Sequence, residues 1–171
     1  MRATVLGMLL LAPMPAHAMS IASGDFADGA PIPVAHNYPR CGGQNVSPEL
    51  HWSGVPASAK SLVLTMIDVS VKPSQWSHWI VVNLPPSSTG LARGAAALPA
   101  GAKAVASNFG DAAYDGPCPP KGTGIHRYVF TLWAMPKAAT TLAPDMKAVE
   151  VGATLSRTAI GHAAVTGTVT P

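Results

Sequence analysis

Four short hydrophobic segments dominate the pattern of apolar and polar positions along the chain. Each is short or alternating in hydrophobicity and is rich in β-branched and aromatic residues, which is typical of β-strands. The pattern predicts strands over residues 61–68, 78–84, 127–135 and 163–170, and a shorter one over residues 50–52. The chain is therefore predicted to be mainly β.

One segment near the C-terminus has helical periodicity. Its apolar positions, which recur at roughly helical spacing, are Met146, Val149, Leu155 and Ala159. The spacing predicts a helix from residue 144 or 145 to residue 160, with Asp145 near its N-cap and Gly161 ending it. We expect this helix to cover one face of the sheet. Pro-rich clusters at 85–90 and 115–120 must be loops, because Pro is excluded from helix interiors and central strands. These elements favour a sandwich or barrel with a C-terminal helix and strand.

Composition narrows the class of protein further. The chain has 171 residues, of which 48% are hydrophobic and 11% charged, against about 25% charged in typical domains. Lys and Arg number 11 and Asp and Glu number 8, for a formal net charge of +3. Nucleic-acid binding by phosphate neutralisation requires more basic residues, and clustered ones. We therefore expect one domain with a sizeable core and no nucleic-acid partner.

Residues 1–18 resemble a secretory signal peptide. Arg2 is followed by an apolar run over residues 3–12 and by the small-residue end Ala16-His17-Ala18, a cleavage site of the A-x-A type. The run is about ten residues long, well short of the roughly 20 that span a bilayer. We therefore expect a signal peptide at 1–18, a mature domain at 19–171, no integral membrane segment, and a periplasmic or secreted protein.

The chain has two cysteines, Cys41 and Cys118, and both lie in its most Gly- and Pro-rich loop regions. An exported chain meets an oxidising compartment, which favours a disulfide between them. Two unpaired thiols are the alternative that the sequence leaves open.

Polar residues capable of chemistry are few, and they collect at the ends of predicted strands. Asp68 ends one strand, and His78 opens the next. His126 opens another strand, and Tyr128 lies two positions later on the same strand face. We expect these four side chains to converge at one end of the sheet, where they suit a small anion such as phosphate or acetate. Arg127 points to the opposite face, where we expect a structural ion pair or a loop anchor.

Two enzymatic interpretations find less support. The G-x-S-x-G pattern of a hydrolase nucleophile is absent. Asp68, His78 and His126 are of the ligand types that bind a divalent metal, but they lack a tight spacing such as H-E-x-x-H. We therefore expect no catalysis, no metal and no cofactor, with metal-assisted hydrolysis as the less favoured alternative. The tryptophans that we expect in the core or the pocket wall are Trp52, Trp76 and Trp79.

These residues resemble those of the phosphatidylethanolamine-binding protein (PEBP) family, in its bacterial Raf kinase inhibitor-like branch. Residues 116–128, GPCPPKGTGIHRY, are similar to the family signature GPxPPxGxGxHRY. Residues 41–56 resemble the opening C-x-G-x-N-x-S-P-x-L-x-W and G-V-P of that branch, and residues 78–83 resemble its H-W-x-V-x-N strand. One departure lies in the family's D-P-D-x-P loop. Here residues 68–73 read DVSVKP, and Ser70 and Lys72 are expected to make the pocket rim less acidic.

The resemblance implies a β-sandwich of a large and a smaller antiparallel sheet with a C-terminal helix and strand. It also implies a shallow pocket for a small anionic ligand or a phospholipid head group. The lining that it implies is Asp68, His78, His126 and Tyr128, with Trp76, Cys118 and Pro120 as wall or rim and Tyr114 within reach. A protein partner is a further expectation, and inhibition of a protease or another protein through surface loops is the alternative function.

Overall fold

A computed structural model describes residues 18–95, 97–143 and 145–171 as two antiparallel sheets and one α-helix. Residues 1–17 of the predicted signal peptide lie outside the described residues. The strands are β1 (Ser20–Ser23), β2 (Leu50–Ser53), β3 (Ser61–Asp68), β4 (Trp76–Leu84), β5 (Gly90–Leu91), β6 (Lys103–Ala104), β7 (His126–Met135) and β8 (Gly161–Val169). The helix α1 is Ala148–Thr158, and short 3-10 turns lie at Val34–His36 and Pro39–Cys41.

The smaller sheet has the strand order β1-β2-β5, and the larger has the order β6-β4-β3-β7-β8. Neighbouring strands are antiparallel in both sheets. The prediction of a mainly β fold with two sheets and a C-terminal helix and strand is therefore confirmed. The five predicted strands are also present, with β4 and β8 each beginning two residues earlier than expected.

Strand β3 lies at the centre of the larger sheet and is buried along its whole length. On one face, Leu62, Leu64 and Met66 belong to a core cluster that includes Leu50 and Trp52 of the smaller sheet. On the other face, Val63 belongs to a cluster with Ile80 and Val82 of β4 and with Val151 and Leu155 of α1. Helix α1 therefore covers the outer face of the larger sheet, as expected, and both faces of β3 exclude water.

The predicted start of the helix was wrong. Helix α1 begins at Ala148, and Lys147 rather than Asp145 is its N-cap. The main-chain N–H of Lys147 donates to the Glu150 carboxylate at 3.1 Å. Because Glu150 reaches back across the first turn, the N-cap lies two residues after Asp145, the position that the sequence suggested.

The predicted end of the helix and its buried face also need correction. Ala159 is the C-cap and is extended, and Gly161 already pairs with Ala134 as the first residue of β8. The chain thus passes from helix to strand directly, without a glycine that stops the helix. The buried helical residues are Ala148, Val151 and Leu155, whereas Val149 is 40% exposed.

Helix α1 has 11 residues. No helix in the described part of the chain is long and apolar enough to cross a membrane. Trp52 and Trp79 are buried in the core.

Candidate functional site

The candidate site lies at the edge of the larger sheet where β3 ends and where β4 and β7 begin. Antiparallel pairing places Asp68, the last residue of β3, opposite Trp76 of β4 and opposite Tyr128 of β7. Three strand ends that are far apart in sequence therefore share one edge. This arrangement brings Asp68, His78, His126 and Tyr128 to the same cavity.

The cavity has a volume of about 300 Å³. All the sequence-predicted ligand-binding residues except Tyr114 line it. The complete lining is Tyr38, Arg40, Asp68, Val71, Trp76, His78, Phe109, Cys118, Pro119, Pro120, His126 and Tyr128. The structure thus places the polar residues together and adds an aromatic and cationic rim.

Tyr114 packs behind the cavity instead of lining it. Its hydroxyl donates a hydrogen bond to the His36 carbonyl oxygen at 2.9 Å. Its ring meets the Trp79 ring edge to face, with the centroids 5.5 Å apart. The expectation that Tyr114 reaches the pocket was therefore wrong, because its side chain packs in the hydrophobic core.

His126 and Asp68 form a buried pair at the floor of the cavity. The Nδ1–H of His126 donates to Asp68 Oδ2 at 2.5 Å, and His126 Nε2 lies 2.8 Å from Thr123 Oγ1. The Thr123 hydroxyl in turn donates to the Pro120 carbonyl at 2.6 Å. Both ring nitrogens of His126 are therefore engaged within the protein, Nδ1 by Asp68 and Nε2 by Thr123.

His78 is held differently. Its Nδ1–H donates to the Asp115 carbonyl oxygen at 2.8 Å, which leaves Nε2 available to a ligand. Burial lowers the pKa of His78 because it disfavours the charged ring, and the Asp115 carbonyl opposes this effect only in part. At neutral pH the ring is therefore neutral, with its proton on Nδ1.

Tyr128 contributes a phenolic hydroxyl that has no partner. The residue is fully buried, and its Oη forms no hydrogen bond with any described residue. The Tyr128 ring centroid lies 5.0 Å from that of His78 and 6.5 Å from that of His126. Burial raises the pKa of Tyr128, and so do the negative charge of the neighbouring Asp68 carboxylate and its side-chain interaction with the hydroxyl. The hydroxyl therefore stays protonated and can donate.

Aromatic side chains form the rim of the cavity. Phe109 stacks on Tyr38 at 5.8 Å and meets Trp76 edge to face at 6.0 Å. Phe109 and Trp76 are 40% and 38% exposed. The neighbouring Asn108 holds this loop on β4, because its Oδ1 accepts from Ser77 N–H at 2.7 Å. The exposed rim therefore has a fixed position above a polar floor.

A disulfide between Cys41 and Cys118, with the Cα atoms 5.4 Å apart, joins the two loops that flank the cavity. The favoured pairing is confirmed, and the alternative of free thiols is wrong. A close backbone contact lies beside it at Gly116, where a Cβ would lie 2.0 Å from the His36 carbonyl oxygen. Only glycine allows this approach, which brings the segment carrying Tyr38 and Arg40 against the signature loop.

The loop after β3 differs from the acidic rim that the resemblance implied. Ser70 N–H donates to Asp68 Oδ1 at 2.8 Å, and Ser70 Oγ accepts from Arg127 N–H at 2.9 Å. Val71 lines the cavity, whereas Lys72 does not. The Arg127 side chain is exposed and forms no ion pair with the residues that the structure describes. The main-chain N–H of Arg127, rather than the charge of its side chain, holds the loop after β3 in place.

Sequence reasoning missed several lining residues, namely Tyr38, Arg40, Val71, Phe109 and Pro119. They lie on loops whose paths leave no periodic signal in the sequence. The cysteine pair Cys41 and Cys118 was the one sequence feature that linked residues 38–41 to the loop at residues 116–124. Among the described residues, no cluster of three His, Cys, Asp or Glu side chains could hold a metal ion.

Comparison with known proteins agrees with this fold. The family model for phosphatidylethanolamine-binding protein matches residues 22–170. The chain is 42% identical over 153 residues to "Putative lipoprotein LppC" of Mycobacterium tuberculosis, covering 90% of this chain and 73% of that protein. It is 35% identical over 159 residues to UPF0098 protein YbcL of Escherichia coli, covering 88% and 87% of the two chains.

Solved structures give the same result. The crystal structure of Escherichia coli YbcL, described as a new member of the mammalian PEBP family, superposes with a TM-score of 0.82 at 32% identity and covers 91% of this chain and 99% of YbcL. CT736 of Chlamydia trachomatis superposes with a TM-score of 0.74 at 34% identity, covering 90% and 98%. The chain belongs to the phosphatidylethanolamine-binding protein family.

Proposed function

We propose that the protein binds a small anion or an anionic head group, of the phosphate, phosphoethanolamine or carboxylate type, in the cavity at the end of β3. The Tyr128 hydroxyl is the observation that carries this proposal. It is a buried donor without a partner, and leaving such a group unpaired costs about 1–3 kcal/mol. A ligand oxygen placed at the floor of the cavity would satisfy it.

The charge state of the floor is compatible with an anion. Among the described lining residues the only carboxylate side chain is that of Asp68, and one of its oxygens already accepts a hydrogen bond from His126 Nδ1–H at 2.5 Å. His78 can accept a hydrogen bond at Nε2 from a protonated ligand oxygen, or it can take up a proton and donate to an anion. The floor therefore offers an anion the Tyr128 hydroxyl as a donor and the His78 ring, which becomes a donor when it is protonated.

We propose further that no chemical step follows binding. The lining contains no Ser, Thr or Lys, and its one cysteine is bonded to Cys41. Thr123 Oγ1 lies 2.8 Å from His126 Nε2, but its hydroxyl donates to the Pro120 carbonyl and Thr123 does not line the cavity. The His126–Asp68 pair therefore has no nucleophile to activate within the lining. Metal analysis of the purified protein tests metal-assisted hydrolysis, the less favoured alternative. A stoichiometric divalent ion would contradict binding without catalysis.

We propose a periplasmic or secreted location for this binding protein. Three observations support it: the signal-peptide pattern of residues 1–18, the disulfide, and the lipoprotein name of the mycobacterial relative. Disulfides persist in oxidising compartments. N-terminal sequencing of the exported protein tests the location, because an intact Arg2 would exclude cleavage after Ala18.

Calorimetric titration with phosphate and with phosphoethanolamine tests ligand binding. We expect His78→Gln and His126→Gln to weaken binding at least tenfold, because each removes an imidazole ring of the floor. His51→Gln is the matched control, since His51 lies on the smaller sheet and contacts Glu49. Pocket variants that bind like the unaltered protein would overturn the proposal.

A second candidate function is inhibition of a protease or another partner protein through the loops. The observation that favours it is the pair of exposed aromatic residues on the rim, Trp76 and Phe109. Assays of secreted proteases with and without the protein test this function. Inhibition that persists in the His78→Gln variant and is lost in Phe109→Ser would assign the activity to the rim and not to the floor.

A further inference from the structure

A second cavity lies beside the first. It also has a volume of about 300 Å³, and its lining is Asn37, Arg40, Cys41, Pro119, Lys121, Val169, Thr170 and Pro171. Arg40 and Pro119 line both cavities. The disulfide stands between the two, because Cys118 lines the first and Cys41 lines the second. The two cavities are therefore adjacent, with Arg40 and Pro119 at their common border.

The second cavity is cationic. Both Arg40 and Lys121 are exposed, and within the described ranges neither forms an ion pair. No Asp or Glu side chain lines this cavity, and the α-carboxylate of Pro171, the last residue of the sequence, forms no ion pair with Arg40 or Lys121. A guanidinium and an ammonium group that are free of acidic partners are suited to a phosphate or carboxylate, which Arg can bind through two parallel hydrogen bonds.

Asn37 is an uncharged polar residue of the lining. Its Oδ1 is buried and forms no hydrogen bond with the part of the chain that the structure describes. Asn37 lines the second cavity but not the first. A buried polar atom without a partner is uncommon in folded proteins.

We propose that the ligand carries two anionic groups joined by a short linker. One group binds at the floor near His78 and Tyr128, and the second binds between Arg40 and Lys121 in the second cavity. This inference rests on the proposed function and specifies the ligand class, namely bisphosphates or molecules with one phosphate and one carboxylate. Linking two anionic groups makes the second binding event intramolecular, which strengthens binding about 100-fold or more when the linker length matches the spacing.

Calorimetry with propyl phosphate and with alkanediyl bisphosphates of increasing chain length tests the proposal. We expect at least one bisphosphate to bind about 100-fold more tightly than propyl phosphate. Lys121→Ala and Arg40→Ala should remove most of this difference. Lys60→Ala, which changes an exposed lysine that lines neither cavity, is the matched control and should keep the difference.

The results separate this inference from the proposed function. If propyl phosphate and every bisphosphate bind equally, or if the bisphosphate advantage survives in both variants, the two-anion ligand is refuted while the anion pocket stands. If neither compound binds, the proposed function itself fails. Sedimentation with phosphatidylcholine vesicles, with and without diphosphatidylglycerol, identifies the source. Lys121-dependent sedimentation indicates a lipid head group, and bisphosphate binding without sedimentation indicates a soluble ligand.

Discussion

Replacing Tyr128 by Phe removes one oxygen atom and should have two opposite effects. In the unliganded protein the Tyr128 hydroxyl is buried without a partner, so that its removal relieves a desolvation cost. We expect the free energy of unfolding to rise by about 1 kcal/mol, the lower end of the range for such groups. For a chain of this length the melting temperature should increase by about 2–4 °C.

The same substitution should weaken anion binding. A hydrogen bond to a charged group contributes about 1.5–3 kcal/mol, which corresponds to an increase in Kd of about 10–100-fold. Calorimetric titration with phosphate measures this change, and scanning calorimetry in phosphate-free buffer measures the stability. Few substitutions at a purely structural position would raise stability and lower affinity together.

Tyr114→Phe is the matched control. Tyr114 is also a buried tyrosine, but its hydroxyl donates to the His36 carbonyl at 2.9 Å and it does not line the cavity. Its loss should lower the melting temperature and leave phosphate affinity unchanged. A Tyr128→Phe protein that melts at a lower temperature, or that binds phosphate with unaltered affinity, would refute the assignment of the Tyr128 hydroxyl as a ligand donor.

Three further predictions follow from the same region. Because the pKa of His78 is lowered by burial, the free protein should lose stability as the pH falls below about 6.5, while phosphate affinity should rise in that window; melting curves with and without phosphate measure both. Burial and the nearby Asp111 raise the pKa of Asp115 to about 7, so Asp115→Asn should increase the urea midpoint near pH 8 and leave it nearly unchanged near pH 4. Reduction of the Cys41–Cys118 disulfide should lower stability by about 4 kcal/mol, measured by urea unfolding with and without reductant.

The central strands could be predicted because their pattern of apolar and polar residues in the sequence matches the burial of those residues in the fold. Strand β3 reads as an unbroken apolar run and is buried on both faces, whereas β8 alternates between exposed and buried positions. Asp68, His78, His126 and Tyr128 were predictable as a group for a related reason. They stand at strand ends, and antiparallel pairing brings the ends of neighbouring strands to one edge.

Other features were not predictable from the sequence pattern because they depend on contacts between distant segments. Strands β5 and β6 have two residues each, too few to show a periodicity. The start of α1 is decided by one hydrogen bond from Lys147 N–H to Glu150. Phe109 reaches the rim because Asn108 is hydrogen-bonded to Ser77. The hydrophobic pattern around residue 109 does not reveal this contact.

The strand order β4-β3-β7 also determines when in folding the cavity comes into existence. Residues 68, 78 and 126 become neighbours only after all three strands have paired, so neither an unfolded chain nor a partly paired intermediate presents the floor. Any molecule that binds there stabilises the completed fold alone, by about 2.7 kcal/mol at a concentration of 100 times its Kd. An occupied site therefore reports that β3, β4 and β7 have all paired.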